Sequence, residues 1–254
     1  MNQTRPLAIA FDCYGTLLDV TDESFIQACA RILRAAGHDH DSRAFWDTWL
    51  ASSKTLSKDQ GRDPDNPLHG PEPPFQSFRQ RWPETFSHAF TQVGLSADAV
   101  AAYEAFHDTL SEGTAYPDTY PALVRLKQHF RIAVVSNADE DHLQHALAAN
   151  GLDLFEFILS SEAAASYKPR APIFRQAVAR FGLPLESVLY VGDSPLADVL
   201  GARNAGMPVA WVNRGGSARP ERVPAPDYEV SDLLMLARLL LGERAAQAAH
   251  EGVP

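Results

Sequence analysis

Short, continuously apolar runs alternate with longer amphipathic stretches along much of the chain. The runs span 7–12, 131–137, 155–161, 187–193 and 207–213, with a weaker one at 228–232. Apolar residues at every position, rather than at every second one, are typical of strands buried on both faces of a parallel sheet. The intervening stretches with helical spacing are 119–130, 140–151 and 171–182. This alternation predicts an α/β fold with a doubly wound, Rossmann-like parallel sheet.

The region between the first strand and the rest of the sheet breaks this pattern. Its apolar spacing indicates four helices, at 23–37, 42–56, 74–94 and 96–113. A segment rich in Pro, Gly and charge, 59–74, predicts an exposed loop within it. We therefore expect a core domain of 1–19 and 113–254 and an inserted helical cap domain of 20–112. Trp46, Trp49 and Trp82 are expected in the core of the cap. A closing helix is expected over 232–249, capped by Ser231 or Asp232.

Composition narrows the possible partners. The 254 residues carry a formal net charge of −10, which disfavours nucleic-acid binding and means that a small anionic substrate needs local positive charge or a metal ion. The N-terminal residues lack a signal-peptide pattern, and no apolar run is long enough to span a membrane. With only two cysteines, the chain is expected in the reducing cytoplasm. The sequence does not predict the oligomeric state.

Polar residues of chemically useful types follow four of the predicted strands. They are Asp12, the pair Ser136 and Asn137, Lys168, and the pair Asp193 and Asp198. Because the carboxyl ends of parallel strands meet at one edge of a sheet, we expect these side chains to share a pocket. A carboxylate such as Asp12 can attack phosphorus or carbon, form a covalent intermediate, and be released by water.

The same residues can neutralise a bound phosphate. Lys168 offers a point charge. Ser136, Asn137, Thr16 and the backbone N–H groups after Asp12, from Cys13 to Thr16, offer hydrogen bonds. Mg²⁺ prefers oxygen ligands and commonly uses one or two carboxylates. Asp12 and Asp193 provide these, and the carbonyl oxygen of Tyr14 is a third candidate ligand. The side chain of Cys13 is expected to serve in packing.

The motifs together resemble the haloacid dehalogenase (HAD) superfamily with a helical cap of the C1 type. The matching segments are DCYGT (12–16), SNA (136–138), KP (168–169) and GDSPLAD (192–198). The resemblance implies Asp12 as nucleophile, Ser136 as a substrate hydrogen-bond donor and Lys168 as charge stabiliser. It also implies that Asp193 ligates Mg²⁺, and that Asp198 ligates it or orients its water shell.

The first motif departs from the pattern of the family's phosphatases. They usually carry an acid two residues after the nucleophile, where this chain has Tyr14. The D-x-Y-G-T-L form is instead similar to the 2-haloacid dehalogenase branch, which needs no leaving-group acid and no metal. That branch usually has a Tyr where this chain has Phe174, a Ser- and Asn-containing turn in place of GDSPLAD, and a cap arginine for which Arg43 is the nearest candidate.

Charge counting favours the phosphatase reading. Asp12, Asp193 and Asp198 contribute −3 and Lys168 +1, so a metal-free pocket carries −2 and repels any anionic substrate. We therefore expect a Mg²⁺-dependent phosphatase of a small phosphorylated metabolite, acting through an aspartyl-phosphate. A 2-haloacid dehalogenase and a catalytically weak binding or regulatory protein remain the alternatives.

Several polar residues have roles that the sequence leaves open. The cap residues that could replace the missing acid are His69, Asp63, Asp65, Lys54 and Lys58. Lys54 and Lys58 also fit a simple polar helix end. Asp22, Asp139 and Asp141 are expected to cap the helices that they precede or begin.

Overall fold

A six-stranded parallel sheet forms the centre of the computed structural model, which describes residues 5–242. The strands are β1 (Ala8–Phe11), β2 (Leu18–Asp19), β3 (Thr114–Ala115), β4 (Arg131–Ser136), β5 (Ile158–Ser160), β6 (Val188–Gly192), β7 (Val209–Val212) and β8 (Tyr228–Val230). The helices are α1 (Asp22–Ala35), α2 (Ser42–Asp59), α3 (Phe78–Gln92), α4 (Ala99–Ser111), α5 (Thr119–Lys127), α6 (Glu140–Ala149), α7 (Ser161–Ala164), α8 (Ala171–Phe181), α9 (Gly201–Ala205) and α10 (Leu233–Leu241). The part of the closing helix expected beyond 242 lies outside the described residues.

The strand order of the sheet is β5-β4-β1-β6-β7-β8, with every neighbouring pair parallel. The predicted α/β fold with a doubly wound sheet is therefore confirmed. β1 lies at the centre, between β4 and β6, so its carboxyl end meets theirs at the same edge. The strand expected over 155–161 is shorter, because β5 is an edge strand that pairs only with β4.

Apolar side chains cover both faces of the sheet. Ile9 and Phe11 of β1 belong to one buried cluster, which includes residues of α5, α6 and α10. Ala8 and Ala10 belong to a second cluster, which includes residues of α8 and α9. This alternation follows from the strand geometry, in which successive side chains point to opposite faces. Helices therefore bury both faces, which explains why the central strands β1, β6 and β7 are apolar along almost their whole length.

Four helices, α1 to α4, occupy the stretch between β2 and β3. These two short strands pair as an antiparallel ribbon, Leu18 opposite Ala115, where the chain leaves and re-enters the core. The helices pack around stacked aromatic rings: Trp46 lies parallel to Trp49 at 5.3 Å, and Trp49 meets Trp82 edge-on at 5.7 Å. All three tryptophans are buried, as expected. The boundaries of the cap domain at 20 and 112 stay a prediction.

Two of the expected helix caps are different in the structure. The N-cap of α1 is Thr21, which forms a capping box with Ser24, so Asp22 lies one residue inside the helix. Asp139 precedes α6 but its side chain does not cap that helix. Asp232 does cap α10, accepting a 2.7 Å hydrogen bond from the backbone N–H of Met235. No helix in the described part of the chain is long and apolar enough to cross a membrane.

Candidate active site

Asp12 lies immediately after β1, at the centre of the carboxyl edge of the sheet. Its side chain is buried, with 6% of its surface exposed. Its Oδ1 accepts a 2.7 Å hydrogen bond from Ser136 Oγ at the end of β4 and lies 2.7 Å from Lys168 Nζ. Both contacts go to the same oxygen, which leaves Oδ2 as the oxygen that can attack a substrate. The structure thus brings together the three residues predicted to be catalytic.

Lys168 links two carboxylates. Its Nζ lies 2.7 Å from Asp12 Oδ1 and 2.7 Å from Asp198 Oδ1, and the whole side chain is buried. Burial alone lowers the pKa of an ammonium group, but these two acids outweigh that effect and hold the pKa of Lys168 well above its usual value. Lys168 is therefore positively charged at any physiological pH.

The side chain of Asn137 fixes the backbone of Lys168. Its Oδ1 accepts a 2.8 Å hydrogen bond from Lys168 N, and its Nδ2 donates to the carbonyl oxygen of Lys168 at 3.2 Å. Asn137 was expected to bind substrate. It does line the cavity described below, but both of its polar atoms already serve to position the lysine.

Asp193 and Asp198 complete a group of three acids. Carboxylate oxygens of Asp12, Asp193 and Asp198 all lie within 4.8 Å of one another. Thr16 Oγ1 donates a 2.9 Å hydrogen bond to Asp193 Oδ1, and Ser194 N donates a 2.9 Å hydrogen bond to Asp198 Oδ2. Thr16, expected to bind substrate, therefore orients an acid instead.

The acid group carries more negative charge than its surroundings compensate. Burial, and then the charges of Asp198 and Asp12, raise the pKa of Asp193 to about 7. Burial raises the pKa of Asp198 to about 6 even though Lys168 opposes the shift. Three carboxylates held this close together are the oxygen donors that a divalent cation such as Mg²⁺ prefers, and a bound cation would favour their ionised forms. The predicted metal ligands Asp12, Asp193 and Asp198 therefore fit Mg²⁺, while the carbonyl of Tyr14 stays a prediction.

Two glycines leave room for these carboxylates. Gly15 has a φ of +83°, and a Cβ at this position would lie 2.5 Å from Asp193 Oδ2. A Cβ at Gly192 would lie 2.3 Å from Asp198 Oδ2. Side chains at either position would displace an acid, so both glycines have a steric reason, and Gly15 has a conformational one as well.

The two residues between Asp12 and Gly15 are poorly suited to direct chemistry. The side chain of Cys13 is fully buried in the apolar core, so only its backbone can reach a substrate. Tyr14 OH is buried and has no hydrogen-bond partner among the described residues. Burial, followed by the neighbouring Cys13 and Asp12, raises the pKa of Tyr14. Tyr14 therefore does not replace the acid that the family's phosphatases carry at this position.

A cavity of about 270 Å³ lies between the cap and the core beside Lys168. The core contributes Asn137, Tyr167 and Lys168, and the cap contributes residues of its loop and of α3, among them Arg62, Asp63, Phe75, Phe78 and Arg81. The cavity adjoins the site at Lys168, which contacts Asp12, whereas Asp12 itself is not among the lining residues. The two arginines were not singled out in the sequence, where nothing in their spacing sets them apart from other surface cations.

Most of the cap residues that could replace the acid missing at Tyr14 lie outside the cavity lining. Lys54 and Lys58 both pair with Asp65, at 2.7 and 2.9 Å, on an exposed surface. His69 is exposed and lies outside the cavity lining, although its carbonyl oxygen accepts a hydrogen bond from Arg170. Of the five candidates, only Asp63 lines the cavity.

Arg43, the candidate for binding a haloacid, is exposed at the start of α2. The cavity is lined by Ser57, near the opposite end of the same helix. Fourteen residues of helix separate the two positions, which corresponds to roughly 20 Å. Arg43 therefore does not line this cavity. Phe174 is fully buried and meets Tyr190 edge-on at 4.8 Å.

Asp139 ties the cap to the core. Its two carboxylate oxygens accept 2.9 Å hydrogen bonds from the backbone N–H groups of Phe78 and Arg79, at the start of α3. The Arg79 side chain in turn pairs with Asp141 at 2.5 Å. Asp139 and Asp141, expected to cap α6, therefore anchor a helix of the cap. This contact could not be predicted from the sequence, because any helix N-terminus supplies the same N–H donors.

Comparison with known proteins identifies the relatives of this chain. It is 30% identical over 235 residues to an (S)-2-haloacid dehalogenase of Pseudomonas putida, covering 92% of this chain and 97% of that protein. It is 34% identical over 160 residues to a phosphoserine phosphatase of Thermus thermophilus, covering 61% of this chain and 62% of that protein. A crystal structure of an L-2-haloacid dehalogenase superposes with a TM-score of 0.75 at 22% identity, covering 94% of this chain and 100% of that one.

These matches favour the dehalogenase alternative and do not support the preference for a phosphatase, since the phosphatase match spans little more than half of the chain. The sequence profile of haloacid dehalogenase-like hydrolases matches residues 6–206, which include all four motifs. The chain belongs to the haloacid dehalogenase-like hydrolase family.

Proposed function

We propose that this hydrolase is a Mg²⁺-dependent phosphatase that cleaves a small phosphomonoester through a covalent ester on Asp12. The observation that carries the proposal is the group of three acids balanced by one lysine. Asp12, Asp193 and Asp198 lie within 4.8 Å of one another, and only Lys168 pairs with them among residues 5–242. With all three acids ionised, the site carries a formal charge of −2 and repels an anionic substrate; a cation bound there would neutralise this charge and favour the ionised form of Asp193, whose pKa is raised to about 7.

Asp193 and Asp198 are the residues that would hold the metal, together with Asp12. Mg²⁺ bound there would neutralise the acids and polarise a phosphoryl oxygen. Lys168 supplies the remaining positive charge from the opposite side of Asp12. The chain thus offers both a cation site and a fixed ammonium group to a phosphate.

The residues around Asp12 prepare it for attack. Ser136 and Lys168 hold Oδ1, so the carboxylate is fixed in orientation and Oδ2 faces the substrate position. Attack by Oδ2 on phosphorus forms an acyl phosphate and breaks the P–O bond of the ester, and the departing alkoxide takes up a proton. Water then attacks the acyl phosphate, which releases inorganic phosphate and restores the Asp12 carboxylate.

The position two residues after Asp12 offers no evident donor for the proton that the leaving group needs. Tyr14 stands where the family's phosphatases carry that acid, and burial raises its pKa rather than lowering it. We therefore expect efficient cleavage only of esters whose leaving groups depart readily as anions, such as nitrophenolate. Across a series of substituted phenyl phosphates, the rate should fall steeply as the pKa of the leaving phenol rises.

A 2-haloacid dehalogenase is the second candidate, and a separate observation favours it. Tyr14 occupies the position of the missing acid, and the chain matches an (S)-2-haloacid dehalogenase over 97% of that protein's length. Here Asp12 Oδ2 would displace halide from the carbon next to the carboxylate, and water would hydrolyse the resulting ester. A halide leaves as a stable anion, so this reaction needs no proton donor.

One pair of assays separates the two candidates. Phosphate release from p-nitrophenyl phosphate and halide release from 2-chloropropionate are measured with Mg²⁺ and with EDTA, for the wild type, Asp12→Asn and the exposed control Asp153→Asn. Mg²⁺-dependent phosphate release that is lost only in Asp12→Asn supports the phosphatase. Halide release that persists in EDTA establishes the dehalogenase and refutes our proposal. If neither product forms while an anion raises the melting temperature, the protein is a binding protein.

A further inference from the structure

Two arginines of the cap face the cavity beside Lys168. Arg62 follows α2 on the cap loop, and Arg81 lies in the first turn of α3. Both are half-buried, and both line the same cavity of about 270 Å³. The loop and the helix approach the cavity from different parts of the cap, so their convergence is a feature of the tertiary structure.

Neither arginine has an acidic partner within the part of the chain that the structure describes. Arg62 donates hydrogen bonds to Gln60 Oε1 at 2.6 Å and to the carbonyl oxygen of Pro74 at 2.8 Å. Arg81 donates to Ser57 Oγ at 3.2 Å. Other arginines do pair with carboxylates: Arg79 with Asp141, Arg131 with Glu156, Arg203 with Asp227, and Arg214 with Asp118.

The acids that line the same cavity are engaged elsewhere. Glu72 Oε1 accepts a 2.6 Å hydrogen bond from Ser166 Oγ, and Asp63 Oδ1 accepts one of 3.0 Å from the backbone N–H of Asp65. Burial, and then the charge of Arg81, lower the pKa of Arg62, although Tyr167 and Glu72 oppose the shift, so the two guanidinium groups are close enough to repel one another. Placing two guanidinium groups together in a half-buried cavity is unfavourable unless an anion binds between them.

The wall between the arginines and Lys168 is aromatic. The ring of Tyr167 stacks against Phe75 at 5.0 Å and against Phe78 at 5.4 Å, and the Arg81 guanidinium lies 5.5 Å from the centre of the same ring. Tyr167 directly precedes Lys168 in the chain. A ligand that extends from Lys168 towards the arginines therefore passes along apolar and aromatic surface before it reaches positive charge.

We propose that Arg62 and Arg81 bind a second anionic group of the substrate, at the opposite end of an apolar body from the phosphate that Asp12 attacks. The phosphate end of this assignment rests on the proposed function. The substrate class is then a phosphomonoester whose leaving group is apolar or aromatic and ends in a carboxylate. Guanidinium groups suit this role because their planar donors match the two oxygens of a carboxylate.

The test uses two esters of nearly equal size and shape. 4-Carboxyphenyl phosphate carries the second anion, and 4-carbamoylphenyl phosphate replaces it with a neutral amide. We expect the wild type to show a KM for the carboxylate ester that is lower by at least about tenfold, since hydrogen bonds between charged groups are the stronger ones. Arg62→Gln and Arg81→Gln should each remove most of this preference, and Arg62→Lys should retain part of it. Arg34→Gln removes an exposed cap cation outside the cavity and should leave the preference unchanged.

Binding is measured separately from hydrolysis. Calorimetric titration of the Asp12→Asn variant, alone and combined with Arg62→Gln, gives the affinity for both esters. An affinity preference for the carboxylate ester that depends on Arg62, together with a wild type that hydrolyses neither ester, would refute the phosphatase and support the anion site. Hydrolysis of both esters by the wild type with equal KM values overturns the anion site and leaves the phosphatase standing. A preference that survives in folded Arg62→Gln and Arg81→Gln variants, checked by thermal melting, also overturns it.

Discussion

Replacing Asp193 with asparagine should stabilise the metal-free protein, and the stabilisation should depend on pH. The pKa of Asp193 is about 7 in the folded chain, against a usual value of 3.8. The fold therefore prefers the protonated acid. The free-energy cost of ionising Asp193 in the folded state is absent below the pKa that this residue has in the unfolded chain. It grows as the pH rises between about 4 and 7, and it is complete above the pKa of Asp193 in the folded chain.

The expected gain in the free energy of unfolding follows from the shift in the pKa of Asp193. Each pKa unit corresponds to about 1.4 kcal/mol, so the ionised Asp193 costs the folded state about 4 kcal/mol at pH 8 and about 2 kcal/mol at pH 5. In EDTA, Asp193→Asn should exceed the wild type in the free energy of unfolding by these amounts. Because 1 kcal/mol shifts the melting temperature of a chain this long by about 2–4 °C, the gap at pH 8 should approach 10 °C or more.

Magnesium should narrow the gap between the two proteins. A cation that binds only the folded state stabilises it, by about 2.7 kcal/mol at a concentration one hundred times its Kd. The wild type should gain this stabilisation at pH 8, and the variant, which lacks a ligand, should gain far less. The assay is thermal melting at pH 5 and pH 8, with EDTA and with Mg²⁺. Asp153→Asn is the matched control, because it removes one exposed charge outside the site.

Three outcomes would refute this reasoning. The variant could melt with the wild type at pH 8 in EDTA, which would mean that Asp193 carries no electrostatic penalty. The gap could stay constant between pH 5 and pH 8, which would assign the effect to something other than ionisation. Equal stabilisation of both proteins by Mg²⁺ would remove Asp193 from the metal ligands and weaken the phosphatase proposal with it.

Three further substitutions test other parts of the site. Lys168→Met leaves two buried carboxylates without their counter-ion and should lower stability by about 3–5 kcal/mol, measured by denaturant unfolding, with loss of turnover; a stable, active variant would contradict the charge balance. Gly15→Ala places a Cβ 2.5 Å from Asp193 Oδ2 in a backbone conformation with φ of +83°, so calorimetry should show Mg²⁺ affinity lowered by tenfold or more, and unchanged affinity would argue against Asp193 as a ligand. Tyr14→Asp supplies the missing acid and should raise turnover of alkyl phosphates by about 10²-fold while changing nitrophenyl phosphate little; an unchanged or lower alkyl phosphate rate would count against our interpretation of this position.

The core of the site could be predicted because its geometry follows from the fold. Parallel strands buried on both faces read as continuous apolar runs, and their carboxyl ends meet at one edge. Once the runs ending at Asp12, Ser136 and Asp193 are recognised as strands, their convergence needs no further information. The contact between Lys168 and both acids is a consequence of the same arrangement.

The cap side of the site could not be predicted in the same way. The loop that carries Arg62 has no apolar periodicity, so nothing local fixes its path over the core. Asp139 is a second case in which the local sequence does not determine a contact between the cap and the core. Its position before α6 predicts a cap for that helix, yet the donors it accepts belong to Phe78 and Arg79 of another helix. Local sequence identifies an acceptor but not which of several N-termini will reach it.

Overall sequence similarity and the chemistry of the active site depend on different residues. Identity of 30% over 235 residues is a property of the whole chain, whereas the chemistry depends on a few side chains at the site. In our interpretation, two positions, Tyr14 and Asp193, determine whether the P–O bond of a phosphate ester or a carbon–halogen bond is cleaved. Tyr14 removes a proton donor, which a halide leaving group does not need and an alkoxide does. Asp193 adds a third acid, which makes the formal charge of the metal-free site −2 when all three acids are ionised. This charge disfavours the binding of any anionic substrate, haloacids included. A bound cation would neutralise the negative charge of the three acids. A leaving group that departs readily as an anion would not need the proton donor that Tyr14 fails to supply. A magnesium-dependent phosphatase of esters with good leaving groups satisfies both conditions, whereas a metal-free dehalogenase leaves the charge of the three acids unexplained.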